Sequence, residues 1–299
     1  MTPIIRKKKR AWNYFFLALP LVALVLLMNY APLFGWYLSL LEYRPGYPLF
    51  ENKFVGLKYF GLLLNSRDLA RVFKNTIIFS TINFCLLPLP MLFAILLNEI
   101  KLVRFRKIVQ TMTTLPYFIG WVIVFSLAFS IFASDGVLNQ VFVILGRGKQ
   151  SVMTDPKAVY WFQGSISIWK GLGWNAIIYI AAIAGIDQEL YEAATVDGAG
   201  RLRCVIHITA PGLMPTFVVL MLLTVSNFVN QGLEQYYVFK NSMVYNNIEV
   251  LDLYTYRVGL QLGDYSFATA VGIVKSMISI TLLFSVNAIA RRVRGASIV

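Results

Sequence analysis

Charged side chains are scarce in this 299-residue chain: they make up 14% of its residues, whereas hydrophobic residues make up 58%. Soluble domains carry about 25% charged and about 45–50% apolar residues. The deficit of charge excludes an ordinary soluble protein and indicates an integral membrane protein. No polar stretch is long enough to form a core of its own, so we expect no separate soluble domain.

Histidine and cysteine are also rare, with one histidine and two cysteines. Cys85 lies in an apolar run and Cys204 in a central polar break, so we expect them to be far apart and not bridged. One histidine and two distant cysteines do not favour a metal site. No nucleophile–base pair stands out, which argues against an enzyme.

Nucleotide-binding motifs are missing as well. The chain has no G-x-x-x-x-G-K-[ST] sequence, and Gly198-Ala199-Gly200 lacks the third glycine and the preceding strand of a dinucleotide motif. We therefore expect no cofactor in this chain.

The formal net charge of +13 does not predict nucleic-acid binding, because Lys and Arg concentrate at the termini and in short connections. An uncharged run from residue 11 to residue 41 follows the basic cluster at 6–10. It is too long for a signal-peptide core of about 7–15 residues, so it is expected to be a retained first span.

Six apolar runs are long enough to cross a bilayer, which takes about 20 residues. They lie at about 13–41, 75–97, 109–133, 159–184, 212–233 and 266–290. The fold class predicted is all-α, a polytopic membrane protein whose whole length forms one transmembrane domain. Pro88 and Pro90 predict a kink or an early stop in the second span.

Basic residues predict the orientation of the spans. Lys and Arg cluster in residues 6–10, 98–107, 185–211 and 291–294. If the N-terminus is inside, a chain with six spans places all four clusters on the cytoplasmic side of the membrane. The first external connection, 42–74, is also basic and argues the other way. We expect both termini to be cytoplasmic.

The central polar break predicts a helical hairpin. Asp187 is a suitable N-cap for a short helix on which residues 192–194 (Glu-Ala-Ala) form a small-residue surface. Gly198 can adopt positive φ in the turn that follows. A second short helix is predicted over 201–209, ending at Pro211. From the residues alone, a docking surface and a plain membrane-surface hairpin are equally good interpretations.

The spacing in this hairpin resembles the EAA loop of the permease subunits of binding-protein-dependent ABC importers. The residues that match are Glu192, Ala193, Ala194, Gly198, Ile208 and Pro211. Ala210 stands where the family usually has leucine. Residues 54–60, 75–76, 254–257 and 265–270 are similar to the sugar-importer branch, whose members include maltose-, alginate- and LplB-like permeases.

This resemblance implies a type I ABC importer permease fold in a bacterial cytoplasmic membrane, with both termini cytoplasmic, and an oligosaccharide or sugar-like solute. It implies a second homologous permease, two cytoplasmic ATPase subunits that bind ATP and Mg²⁺, an extracytoplasmic solute-binding protein and membrane lipid as partners. The coupling residues that it implies are Glu192, Ala193, Ala194, Asp197, Gly198 and Arg201. Glu192 would pair with a basic residue of the ATPase, and the alanines would permit close approach.

Polar residues in the fifth span predict one polar helical face. Thr224, Asn227, Asn230, Gln231 and Glu234 recur at spacings of three and four. They would line a cavity or form hydrogen bonds between helices, and both interpretations stay open. By resemblance to the maltose permease, Asn227, Phe228 and Asn230 would contact sugar. Amides suit sugar hydroxyls and aromatic rings suit pyranose faces.

The fourth span holds Lys170, Trp174 and Asn175 as further pathway candidates. Lys170 would line a wet pathway and favour an anionic sugar, or it would pair with Glu234 or a backbone carbonyl. Lys275 in the sixth span has the same ambiguity. The alternatives to an importer permease are an ATP-independent secondary carrier, which usually shows internal repeats, and a membrane-embedded lipid or glycan enzyme, which needs clustered acids or metal ligands.

Overall fold

The protein is described by a computed structural model that covers residues 3–146, 148 and 151–294, with side chains described between residues 14 and 288 of these. Within that part the fold is all-helical apart from one two-stranded hairpin. Six helical stretches there are long and apolar enough to span a membrane. The predicted fold class is confirmed. The stretches are Tyr14–Leu40, Arg67–Asn98, Trp121–Ile144, Val159–Ala184, Arg201–Ser226 and Tyr265–Ala288.

The chain divides into two compact units. One contains the residues up to Ser66 together with Thr255–Val274, and the other contains Arg67–Tyr254 together with the residues from Lys275 onwards.

The first unit begins with a span that changes its winding. The α-helix α1 (Pro3–Val25) continues as a π-helical segment (Leu26–Tyr30) and a 3₁₀ helix (Ala31–Leu40). Strands β1 (Leu41–Glu42) and β2 (Lys53–Phe54) then pair antiparallel. The remaining segments are a 3₁₀ helix (Leu49–Glu51), helix α2 (Lys58–Asn65) and a π-helical segment (Arg257–Gln261). The first span buries none of its apolar window within the chain, which suits contact with lipid or another subunit.

The second unit contains most of the remaining helices. They are α3 (Arg67–Leu86), α4 (Pro88–Asn98), α5 (Val103–Thr114), a 3₁₀ helix (Leu115–Phe118), α6 (Trp121–Phe132), α7 (Val137–Ile144), α8 (Val159–Ala184), α9 (Gln188–Val196), α10 (Arg201–Cys204), a π-helical segment (Val205–Thr209), α11 (Ala210–Ser226), α12 (Glu234–Phe239), α13 (Tyr245–Ile248) and α14 (Leu251–Tyr256). The last helix of the chain is α15 (Tyr265–Arg294). The break between α3 and α4 falls at Leu87–Pro88, where the prolines predicted a kink.

Helix α8 packs centrally in this unit because glycines let other helices approach its backbone. A Cβ added at Gly173 would lie 2.3 Å from the carbonyl carbon of Thr113, and one at Gly164 would lie 2.6 Å from Ile82 Cγ2. Small residues serve this purpose in membrane helices, where close backbone contact replaces the hydrophobic driving force.

The short helices α13 and α14 are fixed to α3 by buried polar contacts. Arg71 Nη2 lies 3.2 Å from Oε2 of Glu249, whose side chain is fully buried. Asn75 Nδ2 donates to the carbonyl oxygens of Asn246 at 2.8 Å and Glu249 at 3.1 Å. The Leu251 N–H donates to Thr76 Oγ1 at 3.0 Å. These bonds satisfy polar groups that would be costly if left unpaired in a membrane protein.

Two predicted spans are wrong in their boundaries. The run at 109–133 was expected to be one helix, but α5 ends at Thr114 and α6 begins at Trp121. Pro116 in the intervening 3₁₀ helix lacks an N–H, and Gly120 has extended backbone, so the helix cannot continue. The run at 212–233 was also expected to be helical throughout, but α11 ends at Ser226.

Candidate translocation cavity and coupling loop

Residues 227–233, called the asparagine segment below, leave the helix and form a series of turns. The Asn227 N–H still bonds to the carbonyls of Leu223 and Thr224 at 3.2 Å, and the Asn230 N–H bonds to the Asn227 carbonyl at 2.8 Å. Gly232 has φ of +79°, a conformation that glycine adopts without strain. The segment therefore has a fixed shape of its own.

The predicted polar face on one helix is accordingly wrong. Of its five residues, Thr224 lies on α11, Glu234 begins α12, and Asn227, Asn230 and Gln231 lie between the helices. Periodicity of three and four residues is satisfied by consecutive turns as well as by a helix, so sequence spacing did not reveal the change. The amide side chains nevertheless stay close together.

Asp252 on α14 holds the end of the asparagine segment. Its Oδ2 accepts hydrogen bonds from the backbone N–H groups of Gln231 at 2.9 Å and Gly232 at 3.0 Å. Its Oδ1 pairs with Lys275 Nζ of α15. The structure thus gives Lys275 a carboxylate partner 23 residues away in sequence. Sequence analysis missed Asp252, and the only signal for it was that a lysine inside a span needs a partner.

Gln231 is held by hydrogen bonds at both ends of its amide. Its Oε1 accepts from Asn83 Nδ2 at 3.0 Å and from the Tyr236 hydroxyl at 3.3 Å. Its Nε2 donates to Ser80 Oγ at 2.8 Å and to the Phe228 carbonyl at 3.1 Å. Burial, with the Asp252 carboxylate nearby, raises the pKa of the Tyr236 hydroxyl, which keeps it protonated as a donor. Gln231 therefore braces the segment against α3.

The asparagine segment forms one wall of a cavity of about 360 Å³, within the range of about 300–1,000 Å³ typical of small-molecule sites. Its lining consists of Ser80, Asn83, Leu87, Pro90, Asn175, Ile178, Tyr179, Leu220, Leu223, Thr224, Asn227, Phe228, Asn230 and Gln231. Asn175, Asn227, Phe228, Asn230 and Gln231 are the predicted pathway residues in this set. Lys170, Trp174 and Glu234 are not part of it. Asn83 and Ser80 of α3 were not predicted.

Asn227 and Asn230 bring two amides to the cavity wall, and Asn227 Nδ2 donates to the Leu223 carbonyl oxygen at 3.1 Å. Both are exposed. Asn230 Nδ2 makes two long contacts of 3.4 Å, to Asn227 Oδ1 and to Ser279 Oγ. Optimal N–H···O bonds are about 2.7–3.2 Å, so these contacts are weak and can be exchanged for a ligand. Each amide can both donate and accept, as sugar hydroxyls do.

Lys170 is bound to backbone carbonyls at the broken third span. Its Nζ donates to the carbonyl oxygens of Tyr117 at 2.6 Å and Pro116 at 3.2 Å. It also lies 5.4 Å from the ring centre of Tyr117 and 5.3 Å from that of Trp121, within cation–π range. No ion pair joins it to Glu234 in the described part of the chain. Of the three alternatives for Lys170, which were a wet pathway, a pair with Glu234 and a backbone carbonyl, the structure shows the backbone carbonyl.

Trp174 belongs to the same aromatic group as Lys170. Its ring stacks on Tyr117 with centroids 4.5 Å apart and an interplanar angle of 3°, and it meets Phe118 edge-on at 5.7 Å. These contacts, with the ammonium group, stabilise the 3₁₀ helix that separates α5 from α6. Trp174 is thus used for packing at the break in the third span.

The predicted hairpin between the fourth and fifth spans begins with a capped helix. Asp187 Oδ1 accepts from the Glu189 N–H at 3.0 Å, the usual N-cap bond, and α9 follows. Gly198 has φ of +75°, and the Ala199 N–H bonds back to the Ala194 carbonyl at 2.8 Å. This left-handed glycine ends the helix, as glycines after helices commonly do.

The hairpin presents both polar and apolar side chains to its surroundings. Glu192, Ala193, Asp197, Gly198 and Arg201 are exposed, and Ala194 is half-buried. Four large apolar side chains are exposed on the same hairpin: Leu190, Val196 at 88%, Leu202 at 71% and Ile206. Exposed apolar groups rimmed by charge are typical of a protein–protein contact.

The second helix of the hairpin does not stop at Pro211, and that prediction is wrong. Helix α10, the π-helical segment and α11 follow one another without a gap, so Arg201–Ser226 is one helical run of 26 residues. Pro211 lies in the first turn of α11, after the wider π-helical turn, where its missing N–H disrupts least. The hairpin at 187–211 is therefore continuous with the helix that ends at the asparagine segment.

The first helix of the hairpin is attached to this run. The hydroxyls of Tyr191 and Thr209 are 2.9 Å apart. A Cβ added at Gly212 would lie 2.8 Å from Ile186 Cδ1, so the two ends of the hairpin are in close contact. The start of the hairpin is therefore packed against the base of the run.

Comparison with known proteins places this geometry in a family. Residues 86–295 match the model of the family described as binding-protein-dependent transport system inner membrane component. Protein LplB of Bacillus subtilis (strain 168) is 36% identical over 95% of this chain and 90% of its own length. The polygalacturonan/rhamnogalacturonan transport system permease protein YteP of the same organism is 35% identical over 93% and 87%.

A solved structure agrees with the sequence relatives. It is that of a bacterial alginate ABC transporter in complex with an alginate pentasaccharide-bound periplasmic protein, and one of its chains is 30% identical with a TM-score of 0.89 over 98% of this chain and 99% of that chain. The prediction of a non-enzymatic transport subunit is confirmed, and a solute-binding protein and an ATPase are implied as partners. The chain belongs to the binding-protein-dependent transport system inner membrane components and is a multi-pass permease subunit of an ABC importer.

Proposed function

We propose that this chain acts as a single transmembrane permease domain forming half of the translocation pathway for an oligosaccharide. A second homologous permease supplies the other half, and two ATPase subunits dock below, one of them on the hairpin at 187–211. The observation that carries the proposal is the uninterrupted helical run Arg201–Ser226, which begins in that hairpin and ends at the cavity.

The cavity supports a sugar ligand. Its polar side chains are mostly amides, and its wall includes the half-buried ring of Phe228. Pyranose rings present hydroxyls at their edges and C–H groups on their faces, which amides and aromatic rings contact respectively. The relatives point the same way, since their names refer to polygalacturonan/rhamnogalacturonan and to alginate.

The hairpin supports docking of an ATPase. Glu192 is exposed on the same loop as Val196 and Leu202, whose exposed apolar side chains suit contact with another protein. In the proposal, Glu192 pairs with a cation of the ATPase, Ala193 and Ala194 allow backbone approach, and Gly198 sets the turn. Asp197 and Arg201 flank the contact and fix its register.

The helical run supports transmission of the motion. A helix of 26 residues is about 39 Å long, comparable to the thickness of a bilayer. When ATP brings the two ATPases together, the hairpin moves with them, and the run carries that displacement to the asparagine segment. Asn227 and Asn230 then change position relative to the other permease, which exposes the cavity to one side at a time.

The orientation proposed follows from the basic residues. Lys and Arg at 6–10, 98–107, 185–211 and 291–294 all fall on one side of a six-span protein. Both termini and the hairpin are then cytoplasmic, and the 42–74 and 235–265 connections face the extracytoplasmic solute-binding protein.

Charge reversal at Glu192 tests the docking contact. In the assembled transporter, Glu192→Lys is expected to abolish sugar uptake and to reduce the amount of ATPase that co-purifies. The control is Glu51→Lys, an equally exposed acid placed by the proposal on the opposite side of the membrane. Normal uptake by Glu192→Lys, or equal loss of ATPase with Glu51→Lys, would contradict the proposal.

A further inference from the structure

We propose that the cavity accepts uncharged sugar units and discriminates against uronates. This inference rests on the proposed function and specifies the chemical class of the ligand. It concerns the part of the cavity that this chain forms, and it differs from what the names of the relatives refer to, which are polygalacturonan/rhamnogalacturonan and the acidic polysaccharide alginate.

The lining of the cavity combines polar and apolar side chains, and no charged side chain belongs to it in the described part of the chain. Its polar side chains are Ser80, Asn83, Asn175, Tyr179, Thr224, Asn227, Asn230 and Gln231. A sugar hydroxyl donates one hydrogen bond and accepts others, so it can use both the N–H groups and the oxygens of Asn227 and Asn230. A carboxylate only accepts, and it leaves the amide oxygens facing a negative charge.

The two lysines at mid-depth of the spans do not supply a countercharge. Lys170 donates to the carbonyls of Pro116 and Tyr117 and lies against two aromatic rings. Lys275 pairs with Asp252, and the two side chains are only 16% and 20% exposed. The pair has no net charge. The anionic sugar that Lys170 suggested in the sequence is therefore not favoured by its position in the structure.

The second carboxylate oxygen of Asp252 holds this residue in place beside Lys275. It accepts from the N–H groups of Gln231 and Gly232, which belong to the cavity wall. A bound carboxylate that took Lys275 away from Asp252 would leave a shielded acid without its partner, and one that shared Lys275 would place two negative groups beside one cation. Removing one member of a shielded pair is strongly unfavourable. A uronate would therefore enter the cavity largely without compensation for its lost hydration.

A pair of thiol reagents of opposite charge measures the potential of the cavity directly. The chain has two cysteines, so Cys85→Ser with Cys204→Ser removes every native thiol of this chain, and any cysteines of the partner subunits are replaced in the same way. Asn230→Cys in the assembled transporter is labelled separately with cationic trimethylammonium-ethyl and anionic sulfonato-ethyl methanethiosulfonate. The labelling rate with the cationic reagent is divided by the rate with the anionic reagent, and this ratio is normalised by the same ratio measured for free mercaptoethanol. A neutral cavity gives a normalised ratio within about threefold of one, because charged clefts shift local ion concentrations about tenfold or more.

Two variants calibrate this measurement. Leu223→Lys adds a cation to the lining, and Asp252→Asn removes the partner of Lys275. Both are expected to shift the ratio towards the sulfonate reagent by about tenfold. Leu223→Lys keeps the calibration valid if Asp252→Asn does not assemble. A preference for the sulfonate reagent of that size before either change would overturn the proposal.

Matched sugars complete the test. Tetramannuronate and tetragalacturonate are each compared with their carboxyl-reduced forms, which have the same backbone without charge, for protection of Asn230→Cys from labelling. The reduced forms are expected to protect at concentrations at least about tenfold lower than the uronates. Better protection by the uronates would overturn the proposed preference for uncharged sugars, but it would agree with the proposed function as a sugar importer. No protection by any of the four sugars counts against the proposed function itself.

Discussion

The ammonium group of Lys275 pairs with the carboxylate of Asp252, and through it the last long helix is joined to the wall of the cavity. The same carboxylate accepts two backbone N–H bonds from the asparagine segment. One acidic residue thus fixes both a cation inside the membrane and the shape of the amide-rich wall.

Removing Asp252 should destabilise the protein strongly. Asp252→Ala leaves Lys275 shielded and unpaired, which costs about 3–5 kcal/mol in comparable sites. The double change Asp252→Asn with Lys275→Met should restore most of the melting temperature in detergent, because it removes both charges and keeps an acceptor oxygen. Glu42→Ala is the control, since its ion pair with Arg44 is exposed and worth about 0–1 kcal/mol. Equal effects of Asp252→Ala and Glu42→Ala would refute this role.

Gln231 and Asn230 should respond differently to loss of their amides. Gln231→Leu leaves the donors of Asn83 and Tyr236 without their acceptor and should lower the melting temperature. The expected loss in the free energy of unfolding is about 1–3 kcal/mol per unsatisfied group. Asn230→Leu should leave the melting temperature nearly unchanged and raise the KM for uptake, because its contacts within the protein are long. If Gln231→Leu behaved like Asn230→Leu, Gln231 would be a ligand contact and not a brace.

Gly198 should be required for the shape of the hairpin at 187–211. Its φ of +75° disfavours a side chain, so Gly198→Ala should strain the turn by about 1 kcal/mol and reduce sugar-stimulated ATP hydrolysis. Gly200→Ala is the matched control two residues away, because Gly200 has φ of −74° and open space where a Cβ would lie. Hydrolysis assays in proteoliposomes should separate the two, and identical activities would contradict the assigned turn.

Gly173 should be the most sensitive glycine of helix α8. A methyl group there would lie 2.3 Å from the backbone of Thr113, so Gly173→Ala must push α5 away and should lower the melting temperature by several degrees. At Gly171 the nearest atom is the movable Nδ2 of Asn175 at 3.2 Å, and Gly171→Ala should be tolerated. A stable Gly173→Ala protein would show that α5 and α8 are not in backbone contact.

The sequence predicted the number of spans and the resemblance to the importer permeases because both depend on local features. Hydropathy windows detect apolar composition, and the EAA spacing is contained within 20 residues of the chain from Glu192 to Pro211. The ends of helices were harder to predict. Apolar composition continues past Pro116 and past Ser226, although the helices stop there.

Partners distant in sequence could not be predicted from spacing. The bond between Asn83 and Gln231 joins residues 148 positions apart, and Lys170 reaches carbonyls 53 and 54 residues away. Backbone carbonyls at a helix break are invisible in a sequence, so Lys170 looked free to bind an anionic ligand. The amides were found because polar side chains are rare in these apolar segments, even though they do not share one helix.

The most direct test is whether binding of ATP to the ATPase changes the accessibility of Asn230, and whether that change depends on the hairpin at 187–211. In the assembled transporter, with Asn230→Cys as the single cysteine of this chain, binding of a non-hydrolysable ATP analogue is expected to change the labelling rate by about tenfold or more, as a shift between two states of the cavity requires. Adding Glu192→Lys is expected to remove that change while the rate without nucleotide stays the same. An equal nucleotide-driven change with Glu192→Lys, or none in either protein, would contradict the claim that the run Arg201–Ser226 connects the ATPase to the cavity.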